Sequence, residues 1–134
     1  MKKIILLVFI ILPFFLKSQT IQIASDVPVP AADSIFATLS LSDNNDRQYD
    51  VQIVVEWYGL TGTLDGRIVV YHSIVDSLKV QYATDVYTDL NTTTGSDSYE
   101  LWSVTANKIY LKCDVNNLTA GTINAWATYK RITR

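Results

Sequence analysis

The segment VQIVVEWY, residues 51–58, decides the fold class of this chain. Apolar side chains stand at 51, 53, 55 and 57, while Gln52 and Glu56 fall between them. Successive side chains of a strand point to opposite faces, so this alternation predicts a strand with one face buried against a core. A second segment, IYLKCDV at 109–115, repeats the pattern. The apolar faces of these strands therefore require a second layer of structure to pack against.

Similar runs occur on both sides of this segment, and clusters of turn-forming residues separate them. The predicted strands are 34–42, 51–58, 64–75, 78–84, 98–104, 109–115 and 122–130, with breaks at 42–46, 59–62, 91–96 and 116–121. Short strands at even spacing are typical of an all-β antiparallel β-sandwich. Periodicity does not contain the strand order, so jelly-roll and immunoglobulin-like topologies both remain open.

Composition restricts the function classes. The formal charge is −2, and it becomes −5 once Lys2, Lys3 and Lys17 are set aside. A chain with so few clustered cations is a poor ligand for a phosphate backbone, so we expect no nucleic-acid partner. Cys113 is the only cysteine, which rules out an intrachain disulfide. It alternates with apolar residues, and we expect it in the core.

The first 18 residues form a separate unit. Lysines precede and follow an apolar run that extends from Ile4 to Leu16, and Ser18 comes next. This order is typical of a secretory signal peptide. The alternative is a retained hydrophobic helix that anchors the chain in a membrane, although the run is shorter than the roughly 20 residues of an ordinary spanning helix. Residues 19–33, with Pro28 and Pro30, are predicted to be an extended lead-in or edge segment, and 34–134 the β-sandwich domain.

Residues suited to catalysis or metal binding are few and scattered. The single histidine, His72, lies in a predicted strand with no nucleophile elbow near it, and we expect it to have a structural or surface role. Glu56 and Glu100 stand at outward positions of different strands, so we expect no carboxylate pair. The loop with Asp43, Asn45, Asp46 and Asp50 offers oxygen ligands but lacks the EF-hand spacing. We therefore expect no enzyme activity, no cofactor and no metal.

Aromatic side chains are the best candidates for a ligand or protein interface. Trp126 lies on the face of its predicted strand that otherwise carries polar side chains, where a tryptophan is unexpected. Trp57 and Trp102 are the other tryptophans that could stack on a sugar, although a core position or a subunit interface is the commoner fate of such residues. Trp126, Tyr110 and Tyr129 are the predicted interface residues.

Several stretches between residues 59 and 129 resemble small β-sandwich structural proteins of bacteriophages. These are LTGTLDG at 60–66 with the strand at 67–72, KIYLK at 108–112, and NNLTAGTINA at 116–125. The phage proteins have a similar turn before a strand and a similar opening of the last strand. They decorate capsids or form fibres and vertex pieces, usually as oligomers. An N-terminal hydrophobic segment is unusual among them and would suit a phage that contains a membrane.

Two functions follow from this resemblance and from the residues. The first is a virion structural protein, a minor capsid, vertex or decoration component that associates with itself or other capsid proteins and contacts a membrane through Ile4 to Leu16. The second is an exported bacterial binding or adhesion module, periplasmic or secreted, which could recognise carbohydrate through Trp126.

The N-terminus of the native protein distinguishes cleavage from anchoring. We expect signal-peptide cleavage after Ser18, so intact mass and N-terminal sequencing of protein from its natural source should show a chain that begins at Gln19. A chain that begins at Met1 would contradict cleavage and would indicate a retained membrane segment.

Overall fold

The structure is a computed structural model that describes residues 18–41, 47–75, 78–82, 86–114 and 117–132. The described residues form β-strands and connecting segments, without helix. In chain order the strands are β1 (Gln19–Pro28), β2 (Ile35–Ser40), β3 (Gln48–Thr63), β4 (Gly66–Val75), β5 (Leu78–Gln81), β6 (Tyr87–Leu90), β7 (Gly95–Val104), β8 (Lys108–Cys113) and β9 (Asn117–Ile132). The prediction of an all-β protein is confirmed.

The strands form two antiparallel sheets. One has four strands in the order β1-β9-β3-β7, and the other has five, in the order β2-β8-β4-β5 with β6 also paired to β4. In an immunoglobulin-like sandwich, strands that follow each other along the chain often pair within one sheet. Here most successive strands alternate between sheets, and the first and last strands are neighbours. This is the strand order of a jelly roll, one of the two topologies left open by the sequence.

In the described ranges, one hydrophobic core includes side chains from both sheets. The four-stranded sheet contributes Ile53 and Val55 from β3, and the five-stranded sheet contributes Val70 and Leu111. These four side chains are fully buried. Cys113 is also fully buried, as its position among apolar residues predicted. The alternating apolar positions of β3 and β8 therefore face inward, toward a core that both sheets share.

Two predicted breaks are not breaks in the structure. Segments 59–62 and 116–121 were expected to be turns, but β3 continues to Thr63, and β9 begins at Asn117, the first residue of the second segment that the structure describes. The register between these strands shifts at Tyr58/Thr61 and at Thr61/Gly62, so the glycines mark β-bulges within long strands. Gly62 has φ +97°, and a Cβ there would lie 2.6 Å from the carbonyl oxygen of Asn117. The turn predicted from these glycines therefore agrees with the positive φ of Gly62, but it was wrong about the end of the strand.

The predicted lead-in contributes a strand of its own. β1 lies at the edge of the four-stranded sheet and pairs with β9, with Gln19 opposite Tyr129 and Ile21 opposite Ala127. An edge position agrees with the prolines near its end, since a proline has no donor for a second neighbour. The sheet therefore includes residues N-terminal to the boundary expected at 34. The short strand β6 was not among the predicted strands.

A buried polar chain joins the two sheets near β6 and β7. The Tyr99 hydroxyl on β7 donates to Thr88 Oγ1 on β6 over 2.6 Å, and the Thr88 hydroxyl donates to Asp97 Oδ2 over 2.6 Å. Burial raises the pKa of Tyr99, so its hydroxyl stays protonated and remains a donor. The polar groups in this part of the core are therefore paired, as burial requires.

The predicted N-terminal helix, including the run from Ile4 to Leu16, lies outside the described residues. Within residues 18 to 132, as far as the structure describes them, no helix is long and apolar enough to cross a membrane.

Adjacent valines on β3 test the assignment of inner and outer faces. Val55 is fully buried, whereas Val54 is half-buried on the outer face. We expect Val55→Ala to lower the free energy of unfolding by about 2–3 kcal/mol, because it removes buried methyl groups and leaves a cavity. Val54→Ala, the same chemical change, should lower it by less than about 1 kcal/mol. Urea denaturation measures both, and equal losses would contradict the two-faced strand.

Candidate functional site

A bulge in β7 exposes a tryptophan on the outer face of the four-stranded sheet. Val51 pairs with Leu101 and Tyr49 pairs with Val104, so Asp50 faces two residues, Trp102 and Ser103. Leu101 and Val104 are both buried, which places the extra residue between two inward positions. Trp102 consequently points outward, and 65% of its surface is exposed. Bulges of this kind re-aim side chains near functional sites.

Two hydrogen bonds hold the bulge. The backbone N–H of Ser103 donates to Asp50 Oδ1 over 3.1 Å, and the Tyr82 hydroxyl donates to the carbonyl oxygen of Trp102 over 3.4 Å. Ser103 has φ 54°, in the left-handed region, which costs a non-glycine residue about 1–2 kcal/mol. Strain of this kind persists only where surrounding contacts hold it, and here Asp50 supplies one of them.

Beside the bulge lies a pocket of about 160 Å³, which we call the Trp102 pocket. Its walls come from β3, β7, β9 and the residue before β1: Ser18, Asp50, Val51, Gln52, Glu100, Trp102, Thr128, Tyr129 and Lys130. Cross-strand pairing brings them together, since Gln52 lies opposite both Glu100 and Thr128, and Asp50 lies opposite Lys130. The pocket therefore combines an exposed indole with groups of both charges.

Three polar side chains of the Trp102 pocket are available to a ligand. Within the described part of the chain, Gln52, Glu100 and Lys130 form no side-chain hydrogen bond or ion pair with another residue. Gln52 can donate and accept, Glu100 accepts, and Lys130 donates. The Thr128 hydroxyl, in contrast, is already paired with the Thr20 hydroxyl at 2.8 Å.

The structure does not bring the three predicted interface residues together. Trp126 is half-buried on the outer face of the four-stranded sheet, with Gln22 and Val54 as its cross-strand neighbours. Tyr110 is buried on the outer face of the other sheet, where Lys79 Nζ lies 5.2 Å from its ring centroid. Of the three, only Tyr129 lines the Trp102 pocket.

Tyr129 serves mainly to pack the end of the sandwich. Its ring meets that of Tyr49 edge to face, with centroids 6.1 Å apart, and it packs against the core cluster. Its hydroxyl donates to Gln19 Oε1 over 3.1 Å, which ties β9 to the start of β1. It thus supports one wall of the pocket while belonging to the core.

Among the three tryptophans, Trp102 is the residue whose importance the sequence pattern understated. Trp57 is buried, and its indole N–H donates to the carbonyl oxygen of Thr92 over 3.1 Å. Trp126 is partly covered by its neighbours, so Trp102 alone of the three is largely exposed. The prediction of a strand at 98–104, a weaker run around Leu101 and Trp102, did not include the bulge, although Ser103 and Asp50 are residue types that tolerate or cap such backbone.

The other candidates for chemistry remain apart. His72 meets Tyr82 edge to face at 5.5 Å, a packing contact. Glu56 and Glu100 share the outer face of the four-stranded sheet but occupy different positions along it. Glu56 lies opposite Ser96, and Glu100 lies opposite Gln52. In the described ranges no group of three or more His, Cys, Asp or Glu side chains could hold a metal ion. Of the calcium-loop candidates, Asp43, Asn45 and Asp46 lie outside the described residues.

A second exposed feature lies at the edge of the five-stranded sheet. Lys79 reaches the outer-face residue Tyr110, so Leu78 and Val80 on the same short strand point to the core side. They are nevertheless 60% and 48% exposed, which means that the opposing sheet does not cover them. We call Leu78 and Val80 the β5 edge patch. Uncovered apolar side chains on an edge strand are typical of association surfaces.

Comparison with known proteins adds information on the fold. No protein-family model and no curated protein matches the sequence. A solved structure does match: the VP2 subviral particle of infectious bursal disease virus, with a TM-score of 0.52 and 9% sequence identity. The two chains share a fold. The match covers 87% of this chain but 32% of the VP2 chain, so the present chain spans about a third of the length of that protein.

Removing the carboxylate that caps the bulge should destabilise the protein measurably. Asp50→Ala deletes the acceptor of the Ser103 N–H, and we expect the free energy of unfolding to fall by about 1–2 kcal/mol. Glu100→Ala is the matched control: it deletes a carboxylate on the same face without a protein partner, and its effect should stay within about 0.5 kcal/mol. Urea denaturation gives both values, and equal effects would mean that Asp50 does not hold the bulge.

Proposed function

We propose that this chain is a non-enzymatic structural subunit of a virus particle. The observation that carries the proposal is the fold, which is shared over 87% of the chain with a protein that forms a subviral particle. The β5 edge patch supports it, because a subunit of a particle needs surfaces for protein contacts. The finer proposal, from the sequence resemblance, is a bacteriophage virion in which the chain is a minor capsid, vertex or decoration component.

The proposed location is the virion, with a membrane contact through Ile4 to Leu16 if the N-terminal segment is retained. The test is quantitative mass spectrometry of particles purified from the natural source. We expect the protein at a fixed number of copies per particle, unchanged by further gradient purification. Loss of the protein during purification would overturn the proposal and would favour the exported binding module.

The β5 edge patch should contribute to self-association. We expect the full chain to form oligomers, and the double change Leu78→Ser and Val80→Ser to weaken association at least about tenfold, which corresponds to 1.4 kcal/mol. Burying these two side chains at an interface would supply a free energy of that size. Sedimentation equilibrium over a range of concentrations measures the association constant.

Ile35→Ser is the matched control for this experiment. Ile35 is also an aliphatic side chain on an edge strand, β2, and it is 41% exposed. Its substitution should leave association unchanged while lowering surface hydrophobicity in the same way. If all variants associate as strongly as the native chain, the β5 edge patch is not the interface.

A further inference from the structure

The size of the Trp102 pocket limits the ligand to a small one. Pockets for drug-sized molecules occupy about 300–1,000 Å³, and this pocket has about 160 Å³. That volume suits one ring with its substituents. The pocket is also placed on the sheet rather than in a loop, because three paired strands, β3, β7 and β9, form its floor. A site on paired strands is rigid and therefore prepared for a ligand before binding.

The indole of Trp102 suits the apolar side of such a ring. With 65% of its surface in solvent, it is the most exposed of the large hydrophobic side chains in the described ranges. The face of an aromatic ring carries negative charge density and attracts C–H groups that point toward it. The bulge and the hydrogen bond between Asp50 and Ser103 keep this side chain pointing into solvent. In the same arrangement, Ser103 adopts a left-handed backbone conformation.

The polar side chains define what the rest of the ligand must offer. Gln52, Glu100 and Lys130 together provide donors and acceptors that lack protein partners in the described chain. A hydroxyl group can both donate and accept, so several hydroxyls on one ring can satisfy all three. A ligand with an apolar ring face and a rim of hydroxyls is a saccharide.

The charges of the pocket determine which saccharide is favoured. Two carboxylates, Asp50 and Glu100, stand against one ammonium group, that of Lys130. An acidic sugar or a phosphorylated one would place a further negative charge beside the carboxylates, and like charges at close range repel. A neutral sugar avoids this repulsion and still receives hydrogen bonds from Lys130 and Gln52.

We propose that the Trp102 pocket binds one ring of a neutral saccharide, with Trp102 stacked on the ring and Gln52, Glu100 and Lys130 bonded to its hydroxyls. The inference is independent of the virion proposal, because a particle subunit and an exported module could each carry the site. Its failure would leave the particle experiment unaffected, and the reverse is also true.

The experiment is an NMR titration of the full chain labelled with ¹⁵N. The indole N–H signals of Trp57, Trp102 and Trp126 are followed, and Trp102→Phe identifies the signal of Trp102. The probes are methyl α-D-mannopyranoside, methyl β-D-galactopyranoside and N-acetyl-D-glucosamine. Sorbitol is the matched control probe, since it has hydroxyls but no ring face. We expect at least one cyclic probe to shift the Trp102 signal with a Kd of about 1–10 mM, and sorbitol to leave it unchanged.

Variants show whether the binding depends on the pocket. Trp102→Ala should raise the Kd at least about tenfold. Trp126→Ala removes an indole from the same sheet face outside the pocket and should leave the Kd within about twofold. Glu100→Gln keeps the shape of the side chain and should weaken binding about threefold or more by removing a charged acceptor. Urea denaturation confirms that each variant is folded.

Several results would overturn the proposal. These are the absence of a Trp102 shift with every cyclic probe, an equal response to sorbitol, or unchanged binding by Trp102→Ala. Tighter binding of N-acetylneuraminic acid than of the neutral sugars would overturn the assignment to a neutral ligand. A Trp102 signal that changes with protein concentration instead of with sugar would assign the pocket to contacts between copies of the chain.

Discussion

The antiparallel ladder between β3 and β9 is the interaction on which the rest of the structure depends. It extends from Gln48 opposite Ile132 to Thr63 opposite Asn117, over the whole length of both strands. On its inner side it aligns Ile53 with Ala127 and Val55 with Ala125, four fully buried side chains. Small alanines on one strand beside larger residues on the other leave room for the opposing sheet, as dense packing requires.

The same ladder places both edge strands of its sheet. Among the described strands, β1 pairs only with β9 and β7 pairs only with β3, so neither has a position until the central pair exists. The partners are distant in sequence: Gln19 lies opposite Tyr129. Closing such long loops costs entropy before the contacts form, so jelly-roll order favours slow folding. Bulges at the glycines let two strands of sixteen residues twist without losing their pairing.

The Trp102 pocket is a consequence of this arrangement at one end of the sheet. Asp50 is a β3 residue that caps the β7 bulge, and its other cross-strand neighbour is Lys130 of β9. One residue of the central ladder therefore helps to orient Trp102 and lines the pocket at the same time. The β5 edge patch belongs to the other sheet and lies on the same side of the sandwich as β7, since Tyr82, which follows β5, donates a hydrogen bond to the carbonyl oxygen of Trp102. The surfaces proposed for ligand binding and for assembly thus belong to different sheets of one small domain.

The sequence by itself determined the all-β class and, for the strands with regular alternation, which face is buried, because alternation of apolar side chains acts over neighbouring residues. The inward set at 51, 53, 55 and 57 and the buried Cys113 followed from it. Only the tertiary structure decided the strand order, the continuation of β3 and β9 through their glycines, and the exposure of Trp102 instead of Trp126. These features depend on backbone pairing between residues far apart in the chain, and identical side-chain periodicity is compatible with several such pairings.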